Sequence, residues 1–271
     1  MRGTYPIRHH RRLHRLGEIL LLAGASLALV AARLSAQTIS PPISEYQERA
    51  RGSFQLTNTT LFPLNVVLEV RGFRITEQGE MVDVPLDTSR VHVKLSVMSV
   101  RLAPRATYNV FYEAKADSAP AWFNILSAMT GARTDNGINL RIILPHVVYL
   151  NQKAALARSE VLVRALEIDA AAGRARVLLE NTGPNLGRVL AVTAAGSDGS
   201  SPPSAGFPLM PWSRRWTELE WRHAAPPERV SVRAAKFTLD TALAATPVPP
   251  PATAPGAPPV LAADSTLVPA R

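Results

Sequence analysis

The sequence predicts an all-β protein made of two antiparallel β-sandwiches, and three observations support that prediction. Short runs rich in Val, Leu, Ile, Phe and Tyr recur about every 8–15 residues, separated by Gly, Pro, Asn or Asp. No long segment has the 3.6-residue period of an amphipathic helix, and only an Ala-rich piece near Lys153 to Arg158 is ambiguous. The chain has no cysteine, so a conventional apolar core must stabilise each sandwich.

The first 36 residues have the layout of a secretory signal peptide. A basic head is followed by an apolar stretch of 14 residues, Ile19 to Ala32, and by small residues ending in Ala36. This stretch is shorter than the roughly 20 residues that span a bilayer, so we expect cleavage after Ala36 and export to the periplasm. Leu34 and Arg33 are less usual so close to a cleavage site, and an uncleaved anchor is the alternative.

The remaining chain divides into two sandwiches and a tail. We expect the first sandwich over residues 37–150, the second over 151–240, and a junction near Asn151 to Ala157. From residue 241 to 271 the chain is rich in Pro and Ala, with eight prolines between Pro247 and Pro269. Such a composition cannot bury enough apolar surface to offset its ordering entropy, so we expect a disordered tail.

Charge and motifs argue against nucleic-acid binding and catalysis. The chain has 30 Lys+Arg against 21 Asp+Glu, but residues 1–36 hold six Arg and one Glu, which leaves 24 against 20, or +4. No clustered basic face stands out, so we expect no nucleic-acid partner. Beyond residue 36 the histidines (His92, His146 and His223) lack metal-ligand spacing, and no phosphate loop or nucleophile elbow is present. We therefore expect no enzyme, metal or cofactor.

Three tryptophans lie close together in the second sandwich, within the sequence PWSRRWTELEW. Trp212, Trp216 and Trp221 would suit either a stacking surface for a sugar or partner, or the core and edges of the sandwich. We favour the second interpretation, because large aromatic side chains dominate sandwich cores.

The stretch GINLRIILPHVVYL, residues 137–150, is an alternating strand at the end of the first sandwich. Ile138, Leu140, Ile142 and Leu144 fall on one face of it. Such a strand usually packs its apolar face on its own core, but an uncovered edge strand is also a site for pairing with another chain. The alternation by itself leaves both interpretations open.

Several stretches, in order, resemble the periplasmic pilus-assembly chaperones. GSFQLTNTTLFPLNVVLEVRG (52–72) is similar to that family's early pair of strands, VRLAPRATYNVFYEA (100–114) to its Leu-x-Pro turn and following strand, and AWFNILSA (121–128) to its aromatic-Phe-Asn strand. GINLRIILPHVVYL lies where the family has its long final strand. VLLENTGPNLGRVLAV and RVSVRAAKF resemble the second domain more loosely. The resemblance covers about residues 37–240.

The resemblance implies two immunoglobulin-like β-sandwich domains and a chaperone of pilus or coat subunits. Such chaperones lend their final first-domain strand to a subunit that lacks one strand, and an outer-membrane usher receives the subunit. Ile138, Leu140, Ile142 and Leu144 are then the donated side chains, worth about 1.5–3 kcal/mol each if fully buried. The alternative is an exported structural or interaction protein with two immunoglobulin-like domains and no pilin client.

One family feature is altered in this chain. The family anchors the subunit's carboxylate with an Arg on the first strand and a Lys near the end of the final strand. Pro41-Pro42-Ile43 stands around the Arg position and His146 at the Lys position. An imidazole is largely neutral at pH 7, so His146 is an anchor that offers a hydrogen bond but little charge. Arg141, Arg49 and Arg51 are the other candidate cations.

Overall fold

The computed structural model describes residues 37–133, 139–243 and 245–247. The chain divides into two compact units, the first ending at Leu156 and the second beginning at Ala157. All regular secondary structure of the described residues is β-strand, apart from a single 3-10 turn at Arg158–Glu160, which starts at the last residue of the ambiguous Ala-rich piece. The all-β prediction is therefore confirmed. In the described ranges no helix has the length and apolar character needed to cross a membrane.

The first unit is a sandwich of two sheets. One sheet has the strand order β1-β3-β8-β6, and the other has the order β2-β10-β9-β4-β5 with β7 also paired to β4. The strands of this unit are β1 Thr38–Ser40, β2 Ile43–Gln47, β3 Arg49–Thr57, β4 Leu64–Ile75, β5 Met81–Val84, β6 Val91–Leu95, β7 Ser99–Leu102, β8 Thr107–Ala116, β9 Ala121–Arg133 and β10 Asn139–Asn151.

The core of the first unit follows from the alternation of apolar residues along its strands. In β4, the side chains of Leu64, Val66 and Leu68 are buried while those between them are exposed. Because successive side chains of a strand point to opposite faces, this alternation puts one apolar face of each sheet inside the sandwich. Other fully buried apolar side chains of this core include Phe54, Leu56, Val110, Phe123, Ile125, Val148 and Leu150.

The N-terminal strand of the first unit crosses from one sheet to the other. β1 pairs antiparallel with β3, and after a cis Ser40–Pro41 peptide bond β2 pairs parallel with β10. The pairing of β2 with β10 runs from Ile43 opposite Val147 to Gln47 opposite Asn151. The crossover at Pro41 and Pro42 therefore sets the point at which β10 acquires its second neighbour.

The second unit is also a two-sheet sandwich. Its sheets have the strand orders β16-β12-β11-β19 and β14-β13-β17-β18, with β15 also paired to β13. Its core includes Val177, Leu179, Val192 and Val232, which have no exposed surface. The strands are β11 Val161–Asp169, β12 Arg174–Asn181, β13 Gly187–Gly196, β14 Gly199–Ser200, β15 Phe207–Leu209, β16 Ser213–Glu220, β17 Arg229–Ala234, β18 Thr238–Ala242 and β19 Thr246–Pro247.

A buried asparagine organises a turn in each unit. The Nδ2 atom of Asn58 donates to the carbonyls of Phe62 (2.8 Å) and Ala103 (3.0 Å), and its Oδ1 accepts from the amide of Thr60 (2.9 Å). Asn181 likewise donates to the carbonyl of Met210 at 3.0 Å and accepts from the next turn's amide. Asn58 follows the last residue of β3 and Asn181 is the last residue of β12, and each side chain joins two loops of its own unit.

The strands continue past residue 240, where the tail was expected to begin. β18 extends to Ala242, and β19 pairs parallel with β11 at Glu167 and Ile168. Thr246 and Pro247, which were assigned to the predicted tail, are therefore paired with β11 despite their composition. Residues 1–36 and 248–271, to which the signal segment and the rest of the tail were assigned, lie outside the described residues.

The three clustered tryptophans have three different environments. Trp221 is buried and donates its indole N–H to the carbonyl of Ala225 at 3.0 Å. The guanidinium of Arg176 lies 5.0 Å from the ring centroid of Trp216, and Trp212 is exposed. They are core, edge and surface residues of one sandwich.

Candidate functional site

The candidate site is the part of β10 that has a neighbour on one side only. β10 pairs with β9 along nearly its whole length, from Asn139 opposite Arg133 to Leu150 opposite Ala121. On its other side it pairs with β2, and that pairing begins only at Val147. Among the described residues, no strand pairs with the outer side of β10 between Asn139 and His146. We call this part of β10 the outer edge.

The direction of the backbone groups along the outer edge follows from the β2 pairing. The amide of Val147 donates to the carbonyl of Pro42 at 2.9 Å, and the carbonyl of Asn151 accepts from the amide of Glu48 at 3.0 Å. Alternate residues of a strand direct their backbone groups to the same side. The same side therefore carries the carbonyls of Arg141, Ile143 and Pro145, and the amides of Arg141 and Ile143.

Pro145 stands where β2 ends its coverage of β10. Its nitrogen, which has no hydrogen, falls on the outer side, where proline is tolerated in an edge strand. The edge from Asn139 to Pro145 therefore offers the ladder groups of Arg141 and Ile143 to a further strand. This placement of a proline marks the boundary between the covered and the uncovered part of β10.

The side chains of the predicted apolar row are partly packed on the first unit's own core. Ile142 and Leu144 are half-buried against the core, and Leu140 remains 42% exposed. On the opposite face Ile143 is 50% exposed. Ile138, the first residue of the predicted row, lies outside the described residues. β10 thus combines side chains that pack on the core of the first unit with side chains that are exposed, and the more exposed ones lie toward its N-terminal end.

A bulge in β9 lies beside the most exposed part of the row. The register shifts between Leu140, opposite Ala132, and Arg141, opposite Thr130, so Gly131 is the extra residue. Its φ angle of +101° is in a region that only glycine adopts without strain. The extra residue is in β9, so the alternation of β10 is unbroken and Leu140 stays on the face of Ile142.

His146 is buried in the first unit, with no exposed surface. Its Nδ1 atom lies 2.8 Å from the carbonyl oxygen of Pro41, and its Nε2 atom lies 3.0 Å from the hydroxyl of Tyr112. The Tyr112 hydroxyl is in turn 3.0 Å from that of Tyr46. A carbonyl only accepts, so Nδ1 carries the proton, Nε2 accepts from Tyr112, and Tyr112 accepts from Tyr46.

This hydrogen-bonded chain is electrically neutral. Burial lowers the pKa of His146, and the bond to the Pro41 carbonyl opposes that shift without reversing it. Burial is the main cause that raises the pKa of Tyr112, and a hydrogen bond with Ser44 opposes this. The role of His146 as a cleft anchor stays a prediction, and the burial of a neutral ring does not favour it.

Pro41 and His146, which the resemblance places near the cation positions, are hydrogen-bonded to each other. The Pro41 carbonyl and the His146 ring link the crossover to β10, and Tyr112 extends the link to the opposite sheet. Gly52 makes room for it, since a Cβ atom there would overlap the hydroxyl of Tyr46 and lie 2.9 Å from that of Tyr112. The link therefore fixes where β2 meets β10, and so where the outer edge ends.

The sequence interpretation missed Tyr46 and Tyr112 as partners of His146. A signal was present, because His146 is on the inward face of an apolar strand and a buried polar group requires partners. Which residues supply them depends on the crossover between sheets, which the alternation does not show. The other anchor candidate, Arg141, is exposed on the outer edge and has no ion-pair partner among the described residues.

The comparisons with known proteins find similar structures but no similar sequences. No protein-family model matches the chain, and no curated protein sequence matches it. A chain of the complex of Salmonella enterica SafA pilin with the SafB chaperone is 12% identical, with a TM-score of 0.49, covering 78% of this chain and 98% of that one.

Two further solved structures illustrate the range of the likeness. The E. coli chaperone DraB is 12% identical, with a TM-score of 0.45, covering 77% of this chain and 98% of DraB. WR4, a C. elegans MSP family member, is 10% identical, with a TM-score of 0.31, covering 43% of this chain and 98% of WR4. At such identities a likeness concerns the fold alone, so the function is argued from the residues of this chain.

Proposed function

We propose that the protein is a periplasmic chaperone that binds pilus or coat subunits by β-strand addition along the outer edge of β10. The observation that carries this proposal is the unpaired backbone upstream of Val147, flanked by apolar side chains that remain partly exposed. In this proposal the signal segment directs export, and an outer-membrane usher receives the bound subunit. Strand pairing and apolar burial supply the free energy, with no cofactor.

The proposed interaction combines backbone and side-chain contributions. Each added ladder hydrogen bond contributes about 0.5–1.5 kcal/mol net, and Arg141 and Ile143 present the groups for several of them. Leu140 is 42% exposed, so its remaining burial contributes only about 1 kcal/mol of the 1.5–3 kcal/mol for a whole side chain. Ile142 and Leu144 already pack on the core of the first unit, so their further burial also contributes less than that of a whole side chain. Most of the apolar gain must therefore come from the client's own open groove.

The alternative, a structural or interaction protein without a client, is favoured by two observations. Ile142 and Leu144 already pack on the core of the first unit, and the position of the expected basic anchor holds a buried, neutral His146. In that case the outer edge is only a short edge strand, and Pro145 limits its pairing with other chains and so protects it from aggregation.

Co-expression with a subunit separates these two functions. Any small exported protein encoded beside this chain is a candidate subunit, and the readout is the amount of subunit that co-purifies from the periplasm. We expect Leu140→Asp to reduce co-purification at least tenfold, because a carboxylate enters an apolar groove only at a cost of several kcal/mol.

The matched control is Leu190→Asp, at a 40% exposed leucine of β13 in the second unit. It places the same charge on a surface of similar exposure and should leave co-purification within twofold of wild type. Thermal unfolding should show both variants folded. Retention of the subunit by the Leu140 variant, or equal loss in both variants, excludes strand addition at this edge.

A further inference from the structure

The outer face of the β3-β8-β6 sheet carries an unusual row of basic residues. Arg49 of β3 is directly opposite Lys115 of β8, and Lys115 is directly opposite His92 of β6. Cross-strand neighbours have Cβ atoms about 4.5–5.5 Å apart, and like charges so placed destabilise a sheet. Arg49 and Lys115 are therefore adjacent positive charges with no acidic residue between them.

The next row in the same face is mixed rather than basic. Glu113 lies between Arg51 and Lys94 and forms an ion pair with Arg51 at 2.9 Å. His92 lies 3.7 Å from Asp117, at the end of β8. Within the described ranges, Arg49, Lys94 and Lys115 have no acidic partner. The positive charge is thus concentrated at one end of the face.

The two rows border an open groove of about 520 Å³, and an adjoining groove of about 440 Å³ continues along the same face. The second groove is lined by Phe111, whose side chain is 58% exposed, together with Leu95 and Ser96. Along the strands the face therefore changes from basic, through mixed, to aromatic. A large exposed aromatic side chain next to unpaired cations is typical of a recognition surface.

We propose that this face binds an acidic segment of a partner polypeptide. Carboxylates of the segment lie between Arg49 and Lys115, where they relieve the repulsion of the basic row, and a following apolar side chain packs on Phe111. A uniformly anionic lipid surface fits less well, because Glu113 stands in the middle of the face and would meet lipid phosphates. A peptide can space its carboxylates to avoid Glu113.

This face belongs to the other sheet from β10, so the proposal does not depend on the outer edge. The probe is a fluorescein-labelled peptide of three glutamates, a glycine and two phenylalanines, titrated with the full chain by fluorescence anisotropy. We expect binding that weakens at least tenfold in the double variant Arg49→Glu/Lys115→Glu, and severalfold in Phe111→Ser. Binding should also weaken between 25 and 150 mM NaCl, since exposed charges are screened.

The matched control is Arg74→Glu/Arg101→Glu, which makes the same change in net charge at exposed arginines on strands β4 and β7. It should bind the peptide within twofold of wild type, and a peptide with glutamines in place of glutamates should not bind. Equal weakening in both double variants, or retained binding of the glutamine peptide, overturns the proposal. Binding of phosphatidylglycerol-containing vesicles through Arg49 and Lys115, without binding of the peptide, also overturns the proposal.

Discussion

The chain of His146, Tyr112 and Tyr46 should make the stability of the first unit depend on the ring of His146. His146→Phe keeps an aromatic ring against Phe54, whose centroid lies 4.6 Å from that of His146 in a stacked arrangement. It removes both ring nitrogens and leaves the Pro41 carbonyl without its partner. Two hydrogen bonds are lost and the buried Tyr112 hydroxyl loses the acceptor of its proton, so we expect a loss of about 2–4 kcal/mol in the free energy of unfolding.

The same ring predicts a pH dependence with a defined sign. Burial lowers the pKa of His146, so below about pH 6.5 the unfolded chain binds a proton that the folded chain does not. Stability contributed by the neutral ring is therefore present above about pH 6.5 and is lost as the pH falls below that value. One proton gives a slope of at most about 1.4 kcal/mol per pH unit.

Urea unfolding at pH 7.5 and pH 5.5 measures both effects. The fluorescence of Trp122, the only tryptophan of the first unit, follows the unfolding of that unit. Hydrogen exchange of the Val147 amide, which donates to the Pro42 carbonyl, reports the β2 pairing directly. Tyr112→Phe is a milder variant that removes one hydroxyl, and His92→Phe is the control at an exposed histidine. If His146→Phe unfolds like wild type at both pH values, the neutral chain does not hold the crossover.

Two further substitutions test the geometry of the edge and of the turn. Ile143→Pro removes an amide that faces the outer side, so it should lower the free energy of unfolding by less than about 1 kcal/mol and yet reduce subunit binding. Leu144→Pro removes an amide that faces β9, so it should lower the free energy of unfolding by about 1–3 kcal/mol. Equal destabilisation in thermal unfolding would contradict the assigned direction of the amides. Asn58→Ala should lose about 2–4 kcal/mol in urea unfolding, because it frees the carbonyls of Phe62 and Ala103, whereas the exposed Asn65→Ala should change little. Stability close to wild type in Asn58→Ala would show that the turn does not depend on its side chain.

The strands and their inward faces were predictable because they depend on local alternation. Leu64, Val66 and Leu68 repeat at every second position, and that spacing puts all three on one face of any strand. The alternation of Leu140, Ile142 and Leu144 was equally visible. The alternation did not show whether those side chains pack on the core of the first unit or remain exposed, because exposure depends on how far the neighbouring strands extend.

The end of the second unit shows the same limit. Thr246 and Pro247 have the composition of the Pro-rich tail, and their sequence gives no sign of a strand. Their pairing with Glu167 and Ile168 arises from an edge of β11 about 80 residues earlier in the chain. Local composition does not show a strand partner that is so distant in the sequence.

By itself the sequence determined the fold class and the alternating apolar faces, because both follow from the order of neighbouring residues and the two-residue period of a strand. Tertiary structure alone decided that β2 covers β10 only from Val147, and that His146 is enclosed by Pro41 and Tyr112. Those outcomes depend on contacts between residues up to 105 positions apart, which are set by the crossover between sheets and not by any local pattern.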